Sequence, residues 1–262
     1  MTGAFFSELL KLRRRGLLLG GGGLLLGFTA LFTVLGIERA SKSPGSGRGF
    51  HVSVAELSRP DGLVRGISHA GTLMGIVMLG IFAAAFGVEY TTGALRNLLV
   101  REPRRVHFLV GKYLALLVFA VVVVALACVV SVVLAFALAP SKGIDTSAWT
   151  SSTGLADTWR AVWHLLVAAL GYGTIGAALA IIFRSPVAAL AIGVAWLLPA
   201  EAILSSLWTS GQDWLPGQLL SNLSSGGSVS VSLTRTVITL LAYWAVVAVG
   251  TAALFSRRDV AN

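Results

Sequence analysis

The sequence predicts an all-α, polytopic integral membrane protein with about six transmembrane helices and almost no room for a soluble domain. Composition points there first. Hydrophobic residues fill 56% of the 262 positions and charged residues only 12%, where a soluble domain carries roughly 25% charged residues. Mean hydropathy is +0.84. Segment length points there next: a hydrocarbon core of about 30 Å needs roughly 20 apolar residues per spanning helix. Six runs qualify, at about 16–35, 68–88, 113–139, 159–183, 187–207 and 237–255, and together they make residues 1–262 a single transmembrane domain.

The first run follows Arg13-Arg14-Arg15 and is too long for the core of a cleavable signal, so it reads as an anchor that stays. Ahead of it, Phe5, Phe6, Leu9 and Leu10 form an apolar face opposite Glu8, Lys11 and Arg13–Arg15. That is either an N-terminal interfacial helix or a plain basic flank. Gly20–Gly23, with Gly23 and Gly27 at GxxxG spacing, reads as a close helix-packing surface, with local helix flexibility as the alternative. The third run is the longest; it should tilt or project into water, and Pro140 should stop it. Arg184-Ser185-Pro186 leaves only a tight turn between the fourth and fifth runs, which makes them an antiparallel hairpin.

Orientation follows from Lys and Arg beside the spans. With the N-terminus inside, 12 of the 20 basic residues fall on the inner side, crowded against span ends, and 8 spread over longer outer loops. Four of the 11 acidic residues lie inside. Both termini are therefore expected in the cytoplasm and the chain in the cell membrane. The formal net charge of +9 is explained by this bias and by anionic lipid, so no nucleic acid is expected. Among the outer loops, 41–49 is rich in Ser, Gly and Pro and reads as flexible, whereas 211–233 holds Trp214, Leu215, Leu219 and Leu220 and should lie at or dip into the interface. Asn222-Leu223-Ser224 matches a glycosylation sequon, a pattern frequent by chance.

Several chemistries are missing from the sequence. No GxxxxGK[ST] loop, HExxH pair or Gly-x-Ser-x-Gly elbow occurs, so neither ATP binding through a P-loop nor an intramembrane hydrolase is expected, and the chain is not read as an enzyme. Asp61-Gly62-Leu63-Val64-Arg65 lacks the later aspartates of a lipid-headgroup transferase motif and reads as a loop. Cys128 stands alone as a small packing residue with no disulfide or metal cluster, and His164 reads as a packing residue near the outer end of the fourth span. Glu201 is the one acid inside a span. Either it pairs with Arg160 or Arg235 at similar depth, or it gates a path at the outer edge.

The informative segment runs from Glu89 to Lys112. Thr91 or Thr92 can cap a short helix in which Leu95, Leu98 and Leu99 share one face. Arg96, Asn97 and Arg101 decorate the other sides, Pro103 ends the helix, and Arg104, Arg105 and Lys112 form a basic collar. This amphipathic helix either lies on lipid or docks its ridge in a groove of a cytoplasmic partner.

Glu89, Gly93, Ala94, Leu95, Arg96, Leu98, Leu99, Pro103, Arg105, Gly111 and Lys112 resemble the signature of permease subunits of ATP-binding-cassette (ABC) transporters of the type-2 exporter class. Six spans, cytoplasmic termini and the apolar loop before the sixth span are similar to that family too. The resemblance implies that ATP and Mg are held and hydrolysed by a separate nucleotide-binding subunit, with no cofactor on this chain. It implies a coupling helix in which Leu95, Leu98 and Leu99 are pushed by that subunit, Arg96 and Arg101 pair with its acids, Arg105 and Gly93 complete the motif, and Glu89 braces the helix. It also implies a second permease half, as a homodimer or a related chain, and export of a lipid-like, peptide or drug-like substrate. Two other readings share much of the sequence: an ion-driven secondary transporter, which would want acids near mid-membrane and inverted repeats, and a membrane anchor or signalling protein that merely recruits a partner.

Overall fold

The computed structural model describes residues 17–40, 53–95, 98, 105–208, 210–227 and 232–257. The expected interfacial helix before residue 16 and the loop at 41–49 lie outside these. The described residues form helices and connecting turns, and six helices are long and apolar enough to cross a membrane. The chain is a multi-pass membrane protein.

A π-helical turn, Leu17–Gly22, leads into α1, Gly23–Glu38. A single turn, α2 (Val54–Leu57), precedes α3, Gly62–Thr91. Then come α4, Arg105–Leu138, and α5, Ser152–Phe183. The fifth crossing is broken: α6, Pro186–Ala195, passes through a π turn at Trp196–Ala200 into α7, Glu201–Leu207. A short helix, α8 (Pro216–Ser224), precedes the last crossing, α9, Leu233–Arg257. The bundle has a terminus end, where the described chain enters and leaves, and a loop end, which carries α2 and the α7–α9 connection.

Helices outrun the apolar segments. α4 has 34 residues and is about 50 Å long at 1.5 Å per residue, so it projects beyond a 30 Å core as expected. It starts at Arg105, eight residues before its apolar run, so Arg105 and Lys112, two of the three residues of the expected basic collar, lie in its first turns. α3 likewise starts early, and the segment Asp61–Arg65, expected as a loop, is its first turn, closed by an Asp61–Arg65 ion pair at 2.8 Å. The α5–α6 hairpin is tight, as expected. Arg184 takes a left-handed φ of 55°, and the Ser185 hydroxyl accepts from Ala188 N with Pro186 in the first helical turn. Pro199 lacks the amide its turn would need, which accounts for the π turn that interrupts the fifth crossing.

The centre is the α3–α5 pair, and glycine sets its closeness. A Cβ on Gly176 would stand 2.2 Å from the Leu79 carbonyl oxygen, and one on Gly75 would stand 2.1 Å from the Tyr172 ring. In a membrane, where lipid tails are as apolar as leucine, such close backbone approach is a main source of helix association. Among the described residues the expected surface at Gly23 and Gly27 makes no such close approach. A Cβ at either position meets nothing within 4 Å; of the glycine run, Gly21 abuts Ile81, and the run lies in and beside the π turn. Hydroxyls tie the other helices in. Thr33 and Ser131 join α1 to α4 at 2.8 Å, and Tyr113 and Thr174 join α4 to α5 at 2.6 Å. Cys128 is buried in the main core, as its packing role requires.

The loop end is capped by Trp149, 1% exposed, whose indole N–H donates to Leu57 O at 2.8 Å and whose ring meets Phe136 edge to face. Ser53 and Glu56 form a reciprocal capping box on α2. The Ser53 amide, then its hydroxyl, hold the Glu56 carboxyl below its ordinary range.

Candidate functional site

At the terminus end, α3 is closed by its own last residues. The Thr91 and Thr92 hydroxyls both donate to Val88 O, at 3.1 and 2.7 Å, and so bond back into the last turn of α3. Gly93 then takes φ +66°, the left-handed residue that turns the chain out of the helix. Ala94 and Leu95 resume helical geometry. Leu95 is 3% exposed and belongs to the main core with Phe108 and Phe255; Leu98 is half-buried against the same cluster. The ridge expected at the cytoplasmic or membrane surface therefore turns partly inward. Apolar periodicity alone does not give the direction in which such a face points. Arg96, Leu99 and Arg101 lie outside the described residues.

The deciding contact lies one turn deeper. Lys112 Nζ meets Glu89 Oε1 at 2.6 Å, with side-chain exposures of 2% and 9%. The ammonium also sits 5.4 Å from the Phe86 ring centre and 5.7 Å from that of Phe108, within cation–π range. Phe108 stacks on Phe255 at 6.5 Å, which brings the end of α9 to the same corner. Glu89 closes α3 and Lys112 lies in the third turn of α4, so the pair clamps the two helices that the 92–104 connection joins. Arg105, half-buried, lies in the first turn of α4.

Near the loop end, Glu201 is fully buried. It pairs with neither expected arginine: Arg160 bonds Asp157 at 3.3 Å, and Arg235 bonds Asp213 at 3.0 Å. The carboxylate instead accepts the backbone amides of Gly217 at 3.0 Å and Gln218 at 2.9 Å. These are first-turn donors of α8, orphaned because no preceding turn supplies carbonyls. A carboxylate there satisfies two amides and complements the positive end of the helix. Gly217 is needed for the approach, since a Cβ would stand 2.7 Å from Glu201 Oε2. From that anchored start α8 runs along α3 and α5, with Leu220 against Gly171, Ser221 bonded to Thr72 at 3.0 Å and Ser224 against Gly71. The segment before the sixth crossing thus dips into the bundle. Asn222 of the sequon donates to Thr236 inside it.

A family model described as "Protein of unknown function (DUF2705)" matches residues 30–261. The chain belongs to the DUF2705 family. Comparison with curated proteins finds no match. The matched range takes in both corners just described, so the Glu89–Lys112 clamp and the Glu201 anchor are features of this DUF2705 chain's matched region.

Sequence reasoning on the DUF2705 chain singled out Glu89 and Lys112 but did not pair them; opposite charges at the facing ends of consecutive spans were the available signal. It missed Gly217 as the partner of Glu201, because a 16-residue separation across a broken helix has no periodic signature. Glu201→Gln should lose one of the two accepting oxygens and set an amide N–H against a backbone N–H. A destabilisation of about 1–3 kcal/mol is expected, read as a lowered unfolding midpoint in detergent. An unchanged midpoint would mean that the anchor does not hold α8.

Proposed function

We propose that this chain is the membrane permease subunit of an ABC exporter, driven by ATP that a separate nucleotide-binding subunit hydrolyses with Mg. The observation that carries the reading is the clamp at the terminus end. The 92–104 connection leaves from a buried ion pair, and Leu95 is rooted in the core with Phe108 and Phe255. A push transmitted to Leu95 and the ion pair would reach α3, α4 and α9 together. Leu98, half-buried, together with Leu99, Arg96, Arg101 and Arg105, would meet the ATPase subunit; Glu89 and Gly93 would set the angle of the connection. The Lys and Arg bias supports cytoplasmic termini and residence in the cell membrane.

The lipid-like substrate class has the best support. An apolar cleft of about 440 Å³ runs between α4, α5 and α9, lined by Phe86, Tyr113, Thr174, Ile181 and Trp244. The span containing α9 is only 11% buried within one chain, which leaves room for the second permease half that such an exporter requires. Glu201 weighs against an ion-driven carrier, because both of its oxygens hold backbone amides.

The test is co-purification of the tagged chain in mild detergent. An ATPase subunit should accompany the wild type. Retention should fall at least about tenfold with Leu98→Asp/Leu99→Asp, since burying an unpaired carboxylate in an apolar contact costs more than 1.4 kcal/mol. A stable chain that brings no ATPase, or one that keeps it despite both substitutions, sinks the proposal.

A further inference from the structure

A second cavity, of about 470 Å³, opens at the loop end, far from the clamp. Three separate segments build it: the first turn of α3 with Asp61 and Arg65, the loop-end part of α5 with Asp157, Arg160 and His164, and the α8–α9 connection with Ser225. Its charges come as two opposite pairs, Asp61–Arg65 at 2.8 Å and Asp157–Arg160 at 3.3 Å. Helix ends add polarity. The start of α3 brings partial positive charge beside Arg65, and the end of α8 brings partial negative charge beside Ser225. Each ion pair sets both signs of charge side by side on one helix, so the cavity offers contacts to an anion and to a cation within a volume ordinary for a small-ligand site.

The cavity also has a defined depth. Trp159 and Trp163, which bracket Arg160 and adjoin His164 on α5, are 72% and 58% exposed. Exposed tryptophans of a membrane protein settle at the level of lipid headgroups.

We propose that this cavity binds a phosphate-plus-ammonium zwitterion of the phosphoethanolamine type, with the phosphate toward Arg65 and Arg160 and the ammonium toward Asp61 and Asp157. The group could arrive on a membrane lipid or as the free soluble ester; the shared chemistry is what the residues recognise. The site stands apart from the exporter reading and does not depend on it.

The full chain, purified in mild detergent, would be titrated with dioleoyl phosphatidylethanolamine, dioleoyl phosphatidylglycerol and soluble phosphoethanolamine, with bound species counted by native mass spectrometry. The ethanolamine lipid should bind more tightly than the glycerol lipid. Arg65→Gln/Arg160→Gln should weaken it at least about tenfold, in line with losing two charge-assisted hydrogen bonds. Asp61→Asn/Asp157→Asn should erase the preference over the glycerol lipid. Lys142→Gln removes a loop-end charge outside the cavity, where it pairs with Glu38 at 2.7 Å, and should change nothing. Unfolding midpoints would identify variants that fail to fold, and each arginine would then be replaced singly. Residue-dependent binding of phosphoethanolamine alone supports the site with a soluble source; dependence of the lipid supports it with a membrane source. If neither probe responds to these four residues, the proposal is overturned.

Discussion

Replacing Lys112 with alanine is expected to destabilise the bundle by about 3–5 kcal/mol, because it removes the ammonium that meets the buried Glu89 carboxylate at 2.6 Å. The loss should exceed that of any single surface charge, for which values of about 0–1 kcal/mol are usual. Glu89→Gln should cost less than Lys112→Ala. The amide can still accept from the ammonium, and the Phe86 and Phe108 rings keep some attraction for the charge. The double replacement Glu89→Gln/Lys112→Met should recover most of the loss, since apolar substitutes for a buried pair are often neutral or better. Unfolding by graded denaturing detergent, run as a double-mutant cycle, would measure the coupling. A double variant as unstable as Lys112→Ala alone would show that the two side chains do not act as a pair.

That pair also marks where sequence reading reached its limit. The number of crossings was legible, because a spanning helix must be long and apolar whatever its neighbours are. Helix ends were less so: α3 and α4 begin six to eight residues before their apolar runs. Polar first turns there are satisfied by protein contacts, such as Asp61 with Arg65, and hydropathy cannot register such contacts. Of the expected Leu95, Leu98 and Leu99 ridge, Leu95 lies in the core with Phe108 and Phe255 and Leu98 packs against the same cluster. Period fixes relative angle around a helix and says nothing of which side is occupied. Glu201 shows the same limit for polar groups. Its depth suggested a charged partner, but in a bundle interrupted by Pro199 the nearest unsatisfied donors were backbone amides, which carry no residue-type signature. The glycines show it for packing, since a Cβ at Gly23 or Gly27 meets no described atom within 4 Å despite the GxxxG spacing.

The glycine that does govern packing is Gly176, and Gly176→Leu is expected to be among the most damaging single changes in the chain. Its Cβ would meet the carbonyl oxygen, carbon and Cα of Leu79 at 2.2, 2.9 and 3.0 Å. All three are backbone atoms, so no rotamer change relieves the clash and α3 must move away from α5. Other crossings would move with it. A Cβ on Gly87 would already stand 2.5 Å from Pro186 N at the terminus end, and one on Gly71 would stand 2.6 Å from the Ser224 Cβ toward the loop end, so a shift of α3 would disturb its close contacts with α6 and α8 as well. The cost should reach or exceed the roughly 3 kcal/mol upper range of ordinary overpacking. Gly176→Ala should already cost a large share of it, because the clash begins at Cβ. Gly27→Ala, whose Cβ meets nothing, should be neutral or slightly stabilising through helix propensity. Comparing the three variants by detergent-titrated unfolding separates contact from composition. Equal effects at positions 27 and 176 would mean that glycine content, and not the α3–α5 crossing, sets the stability.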